Sequence, residues 1–465
     1  MTRHPASTLL AIAAATVIMA APGCGGTPGV SPDSGGAAPS GAVKTSGFDK
    51  LGPVSLTIWS YDNQDPGLEP VLKELSANFS KQYPNVTIDL RFQSSDTLLK
   101  VIPRALASDQ GPDLTEGNQG YQTDAQLVKA HLILPLDRYV KAYGWEKWYS
   151  PSTWSIFRWT TDGKTFGKGP IWGVAQTGQN VNMYVNTAKL QQLGFDPAAM
   201  PTTFDGFNHM LSQIRAKLPS SEPVIEEGNQ EGYGAIHIFG GIQAAYTGVQ
   251  AERDWIQHVP GSTWNTTDNV KALTVFQSWG KNGYFNDDMN QITNDASAAA
   301  FAKGHGVFWI GGDWDASIIH EGLGSDVAVT NIPPGPSGTW AGVGATSGPW
   351  HISANTKHPD VAAAWLNYVI GSPVAQRLMY SQQQIPAIND AVKPAADPYL
   401  AQVTSAWQQV ASDGGLMFYT DWASPTMYDT LGAQFQELLA GRTTPQAMAQ
   451  AVQDDWATFD KTLHQ

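Results

Sequence analysis

The stretch from residue 54 to residue 107 switches three times between two hydrophobic periods, and this narrows the possible folds more than any other feature of the chain. Val54-Ser55-Leu56-Thr57-Ile58-Trp59 is a short alternating run rich in β-branched residues. Residues 68–83 then carry apolar side chains at Leu68, Val71, Leu72, Leu75 and Phe79, the spacing of one helix face. A second strand is predicted over 86–92, after the break at Pro84-Asn85, and a second helix over 98–107. Strand, helix, strand, helix builds a parallel sheet covered by helices, whose ligands sit at the C-terminal ends of the strands. The loops at 60–66 and 115–121 are therefore candidate sites.

Asp162-Gly163, between two strand-like runs within 157–174, predicts a hairpin. Helices are predicted over 204–218, 269–281, 359–370 and 444–463, each opening near a Thr, Asp or Pro suited to a helix start. No repeat and no long structureless insertion is visible.

Cys24 is the chain's one cysteine and follows an apolar run over 9–21 behind Arg3. A permanent membrane helix needs ~20 apolar residues, so residues 1–23 read as a secretory signal. The order Ala21-Pro22-Gly23-Cys24 resembles a bacterial lipobox, with Ala21 where Leu is commoner and an unusual Pro22. That resemblance implies that Cys24 is acylated and anchors an exported protein to the outer face of the bacterial cell membrane, or on its periplasmic side. An ordinary signal peptide with an incidental cysteine is the alternative. Residues 24–53, rich in Gly, Ser, Pro and Ala, read as a flexible tether behind the anchor. With no second cysteine there is no internal disulfide, so an exported fold has to rely on packing. The ~440 residues past the signal exceed one core and suit two lobes.

A formal net charge of -14 with 27 Lys plus Arg lacks the basic footprint that nucleic acid or anionic lipid would require. Membrane attachment is thus expected through the lipid alone, and a monomer is expected. Seventeen Trp, 15 Tyr and 16 Phe raise the odds that several aromatic faces line a groove, although packing explains most single tryptophans. A flat indole face matches the C–H face of a sugar ring and needs no ligand charge, which favours a neutral, hydroxyl-rich ligand. No HExxH or GxSxG motif is present, and Gly342 to Gly348 lacks dinucleotide-fingerprint spacing. Asp313 with Asp315, and Glu226 with Glu227, are sequence neighbours, whereas glycosidase carboxyls face each other across a bond. No catalytic residue, metal or cofactor is expected.

Asp162-Gly163-Lys164-Thr165-Phe166-Gly167, Pro170-Ile171-Trp172-Gly173-Val174 and Met183-Tyr184-Val185-Asn186-Thr187-Ala188-Lys189-Leu190 follow one another in fixed order. Pro201-Thr202-Thr203-Phe204-Asp205-Gly206-Phe207 and Gly441-Arg442-Thr443-Thr444-Pro445-Gln446-Ala447-Met448, with Trp456, complete the series. In this order the chain, from Val54 to its end, resembles the family 1 extracellular solute-binding proteins, the receptors of carbohydrate ABC importers, among them maltose-binding protein. Phe204 stands where that family usually has Trp. The resemblance implies an α/β, two-lobed periplasmic-binding-protein-like fold, each lobe a mainly parallel sheet flanked by helices, with the ligand cleft between lobes. By analogy, lobe 1 holds 54–177 and 352–393, and lobe 2 holds 178–351 and 394–465.

The same resemblance implies the contact regions. Tyr61 and Asp62, with Trp59 and Asn63 beside them, end the first strand, where a carboxylate accepts from sugar hydroxyls; a solvated turn around Asp62 and Asp65 is the plain alternative. Glu116, Asn118, Gln119 and Tyr121 form a second region, with Asp113 read as a loop-bracing residue. Gln176, Gln179 and Asn180 offer amides after the crossing strand. Trp314 is the best stacking candidate, with Asp313 as a hydroxyl acceptor, and Trp350, Tyr419 and Trp422 supply further aromatic faces. His237 and Phe239 reach the cleft or, more commonly for such residues, the core. The implied function is a receptor for a neutral sugar or oligosaccharide that hands it to ABC importer permease subunits. A secreted glycoside hydrolase and a receptor for another polar solute are the competing readings.

Overall fold

The computed structural model describes residues 41–62, 67–336, 338–388, 392–393, 396–412 and 414–465. Cys24, the signal, most of the tether, and Asn63 with Asp65 lie outside the described residues. The first sheet begins as expected: β1 (Val54–Ser60) pairs in parallel with β2 (Val86–Phe92) and with β3 (Leu114–Glu116). Along β1, Val54, Leu56, Ile58 and Ser60 are buried and the residues between them are more exposed, as a period of two requires. The helix Leu68–Gln82 connects β1 to β2 and buries Leu68, Val71, Leu72, Leu75 and Phe79, the apolar set read from sequence.

A hairpin follows, β4 (Arg158–Trp159) with β5 (Phe166–Ile171). Its turn is held by Asp162, which accepts from the Thr160 hydroxyl at 2.6 Å and the Lys164 N–H at 3.1 Å, while Gly163 takes φ 67°, a left-handed conformation that suits glycine. The helices Phe204–Lys217, Thr267–Lys281 and Pro445–Leu463 start where a threonine side chain (Thr203, Thr266 and Thr444) caps a backbone N–H. Pro359–Gly371 places its proline in the first turn.

The second sheet is organised around β6 (Thr177–Asn186). The C-terminal half of β6 lies between β7 (Phe308–Gly312) and β8 (Val327–Thr330), and its N-terminal half pairs with β9 (Gly342–Thr346). β10 (Trp350–Ile352) returns to the first sheet, antiparallel to β3, giving the order β10-β3-β1-β2. β11 (Ile385–Pro386) joins the start of β6, and β12 (Leu416–Met417) pairs in parallel with β9. Here the structure corrects the expectation of a mainly parallel second sheet, since β7, β8, β9 and β11 all run antiparallel to β6. The reason is topological. The unit from β7 through the helix Ala316–Leu323 to β8 does join two mutually parallel strands, but the antiparallel β6 lies between them.

Tryptophan serves mainly as core. Trp145, Trp159, Trp255, Trp264, Trp279, Trp309, Trp350 and Trp365 are each under 2% exposed. His351 of β10 is also fully buried, 2.9 Å from an Asp124 carboxylate oxygen at Nε2 and 2.9 Å from the Trp172 carbonyl at Nδ1. Because a carbonyl only accepts, Nδ1 must carry a hydrogen, and the second proton is shared between imidazole and carboxylate. Glycine is required around this pair: a Cβ at Gly117 would fall 2.5 Å from His351 Nε2. Burial pushes the His351 pKa down, but the Asp124 charge and hydrogen bond and the Trp172 carbonyl outweigh it and leave the pKa raised; burial raises that of Asp124 against the opposing His351 charge.

A raised folded pKa means stability that is complete below the unfolded imidazole value of about 6.5 and lost as pH rises through the folded value. Chemical denaturation of wild type and His351→Gln should therefore show a stability gap that narrows steadily from pH 6 to pH 9. A gap that stays constant over that range would mean the pair does not hold the extra proton.

Candidate functional site

The C-terminal ends of β1 and β3 meet at Glu116, a fully buried residue of β3. The Ser60 hydroxyl donates to Glu116 Oε2 at 2.6 Å, and the Tyr61 N–H donates to the same oxygen at 2.8 Å. Asp62, also buried, sends its N–H to Ser60 Oγ at 3.1 Å. Glu116 thus fixes the chain end that presents Tyr61 and Asp62. The Tyr61 hydroxyl lies against Gly348, where a Cβ would fall 1.6 Å from it, so only glycine permits this approach. Burial, then the charges of Glu116, Asp62 and Asp124, keep that hydroxyl protonated.

The loop after β3 faces the segment after β9. Gln119 Nε2 donates to Thr346 Oγ1 at 3.1 Å and to the Ser347 carbonyl at 3.0 Å. Asn118 stays partly exposed, while its carbonyl accepts from the Asp124 N–H at 3.2 Å. Tyr121 is core, 1% exposed, with its hydroxyl donating to the Lys164 carbonyl. Asp113 braces the loop by accepting from the Thr57 N–H at 2.9 Å and the Thr356 hydroxyl at 2.5 Å.

In the second sheet, the buried Asp313 follows β7 and accepts from the Asn180 N–H at 3.2 Å. Gln179 and Asn180 are adjacent strand residues and so face opposite sides of β6. Asn180 turns toward the helix Pro398–Ser412: its Nδ2 donates to Asn182 Oδ1 at 2.6 Å and Asn331 Oδ1 at 2.9 Å, and Asn331 in turn donates to the Ala406 carbonyl. The partly exposed Trp314 lays its indole over Gly312, where a Cβ would fall 2.1 Å from the ring. This glycine lets the indole lie flat on the backbone.

Around Trp314 the rings form a chain. Its centroid is 5.5 Å from that of His237, which is 5.2 Å from Tyr233 and 5.6 Å from Tyr419, and Tyr419 is 5.4 Å from Trp422. Trp422 is 2% exposed and also packs against Phe418 and Phe166. Gly120 brings the first-sheet loop against it, with the Tyr121 N–H donating to the Trp422 carbonyl at 3.0 Å. Trp350, expected on the cleft, is instead fully buried in β10, edge-on to Trp365 at 5.2 Å, because β10 and the helix Pro359–Gly371 enclose it.

The two sets of sequence candidates are therefore joined at Tyr61 with Gly348, Gln119 with Thr346 and Ser347, and Gly120 with Trp422. Within this region several buried polar atoms have no hydrogen-bond partner: both amide atoms of Gln176, Thr177 Oγ1, His237 Nδ1 and Tyr419 Oη. Tyr233 escaped sequence reasoning, although Gly232-Tyr233 opening a helix was the available signal. Asp421 also escaped it; burial pushes its carboxyl up to about 6 beside Trp422. Among the described residues no group of three or more His, Cys, Asp or Glu is placed to hold a metal.

The Maltodextrin-binding protein MdxE of Bacillus subtilis (strain 168) is 28% identical over 144 residues, 30% of this chain and 34% of that protein, so the match spans about a third of the relative's length. A solved chitin oligosaccharide binding protein superposes with a TM-score of 0.76 at 20% identity, covering 88% of this chain and 99% of the other. A structure from work on xylan utilization by the thermophilic bacterium Caldanaerobius polysaccharolyticus gives 0.74 at 21% identity, covering 86% and 99%. These likenesses show a two-lobed α/β fold. The profile of the family described as bacterial extracellular solute-binding protein matches residues 62–376, more than half the chain. The chain belongs to that family, one of solute-binding proteins and not of enzymes.

Proposed function

We propose that this protein captures a neutral sugar or oligosaccharide between two lobes, residues 54–177 with 352–393 and residues 178–351 with 394–465, and delivers it to the permease of an ABC importer. One observation carries the reading: amide, hydroxyl and imidazole atoms are buried without partners beside a run of aromatic rings. Leaving such a group unsatisfied costs about 1–3 kcal/mol, which a hydroxyl-rich ligand would remove. None of Gln176, Thr177, His237, Trp314 and Tyr419 is cationic, so an anionic ligand gains no countercharge from them. The names of the similar proteins, which refer to maltodextrin, chitin oligosaccharide and xylan, support a carbohydrate over another polar solute.

We also propose that the protein acts as a monomer anchored through acylated Cys24. Cell fractionation should find wild type in the membrane and Cys24→Ser in the medium. Equal membrane retention of both forms would remove the anchor.

Maltotriose, chitotriose, xylotriose and raffinose form a suitable probe panel. At least one should raise the melting temperature by mass action, with little salt dependence, by up to about 2.7 kcal/mol of stability at a hundredfold excess over Kd. Trp314→Ala should weaken that sugar by about 1–3 kcal/mol, the worth of a large buried side chain. Trp365→Ala, in the first-sheet core, should instead lose roughly 3–5 kcal/mol of stability while folded protein keeps its affinity. Stabilisation by amino acids or phosphate esters alone, or normal sugar binding by Trp314→Ala, would defeat the proposal.

A further inference from the structure

Two buried histidines of this chain have both ring nitrogens matched. His351 faces Asp124 and the Trp172 carbonyl, and His258 faces Asp460 at 2.9 Å and the Ala423 carbonyl at 2.8 Å. His237 differs. It is 5% exposed, in the helix Tyr233–Thr247, and its Nδ1 is buried without a hydrogen-bond partner. Three rings surround it: Tyr233 at 5.2 Å, Trp314 at 5.5 Å with an interplanar angle of 65°, and Tyr419 at 5.6 Å. The Tyr419 hydroxyl, also buried, has no partner either.

Packing alone does not account for an imidazole here. A phenyl ring would fill the same space without a nitrogen to desolvate, and an unmatched buried polar atom is a standing cost. Burial pushes the His237 pKa down to about 3, so the ring is neutral across the physiological range. A neutral imidazole presents one N–H and one lone pair, which suits a hydroxyl group, itself both donor and acceptor.

We infer that His237 is a ligand-contacting and specificity-determining residue, binding one hydroxyl of the sugar ring that stacks on Trp314, so that affinity depends on the presence and orientation of that hydroxyl. This inference rests on the sugar-receptor reading and names a determinant within the same site. It also assigns Tyr419 a neighbouring hydroxyl, since its own oxygen shares the enclosure.

The test uses His237→Phe, which keeps an aromatic ring, and His237→Asn, whose amide sits near the position of Nδ1. Calorimetric titration employs whichever panel sugar raises the wild-type melting temperature most, together with its monodeoxy analogues. His237→Phe should bind the parent sugar about tenfold more weakly, the loss of one buried hydrogen bond, and His237→Asn should fall between it and wild type. Without sugar, His237→Phe should melt no lower than wild type, because an unmatched nitrogen has been removed. One deoxy analogue should bind wild type about tenfold more weakly than the parent does, yet bind His237→Phe as well as the parent does, the non-additivity expected of two groups in contact.

Unchanged affinity in His237→Phe, or loss of affinity that only follows a fall in melting temperature, overturns the inference. If Trp314→Ala loses sugar while His237→Phe does not, the receptor reading stands and this inference alone fails. If wild type binds none of the panel, both fall together.

Discussion

Strand β6 is the constraint on which the candidate site depends. Four strands pair with it, β9 and β11 at its start and β7 and β8 farther along, so its ten residues set the register of most of the second sheet. The segments that leave this sheet near the start of β6 carry the candidate site residues: Asp313 and Trp314 after β7, Ser347 and Gly348 after β9. A one-residue slip of β6 would exchange the faces of Gln179 and Asn180 and break the Asn180, Asn182 and Asn331 amide ladder. The ladder is fully buried, which makes such a slip costly and the register well specified.

Glycine does the complementary work. The indole of Trp314 lies on Gly312, the hydroxyl of Tyr61 on Gly348 and the backbone of Trp422 on Gly120, and at each place a Cβ would fall inside 3 Å of a neighbour. Aromatic rings are thereby held close to the main chain, where their remaining faces and polar tips form the proposed binding surface. The same economy of space explains why Gly117 and Gly173 both approach His351, whose pairing with Asp124 underlies the loop carrying Asn118 and Gln119.

Much of the fold was legible from periodicity. The alternation over residues 54–107 gave the first parallel strands and their covering helices, and Thr203 and Thr444 marked helix starts through capping chemistry. The antiparallel insertion of β6 between β7 and β8 was not legible, because strand direction depends on which strands pair and leaves no local pattern. Of the candidate site, the sequence made legible that Trp314 and the end of β1 follow strands at loop positions, since residue type and loop position coincide there. Trp350 was misplaced because its Gly-rich surroundings resemble a cleft strand, whereas Trp365 and β3 enclose it. For His237 the sequence left cleft and core open, since burial is the usual fate of such a histidine and an unpartnered Nδ1 leaves no mark in the sequence.

The central claim is that the region joining Trp314, His237 and Tyr419 with the ends of β1 and β9 is a sugar site. A crystal structure with the most stabilising sugar of the panel addresses it directly. The account predicts a sugar ring lying on the Trp314 indole, with hydroxyls about 3 Å from His237, Tyr419 and Gln176. A sugar bound on another surface, with the Trp314 face uncovered and those polar atoms still unmatched, would contradict it.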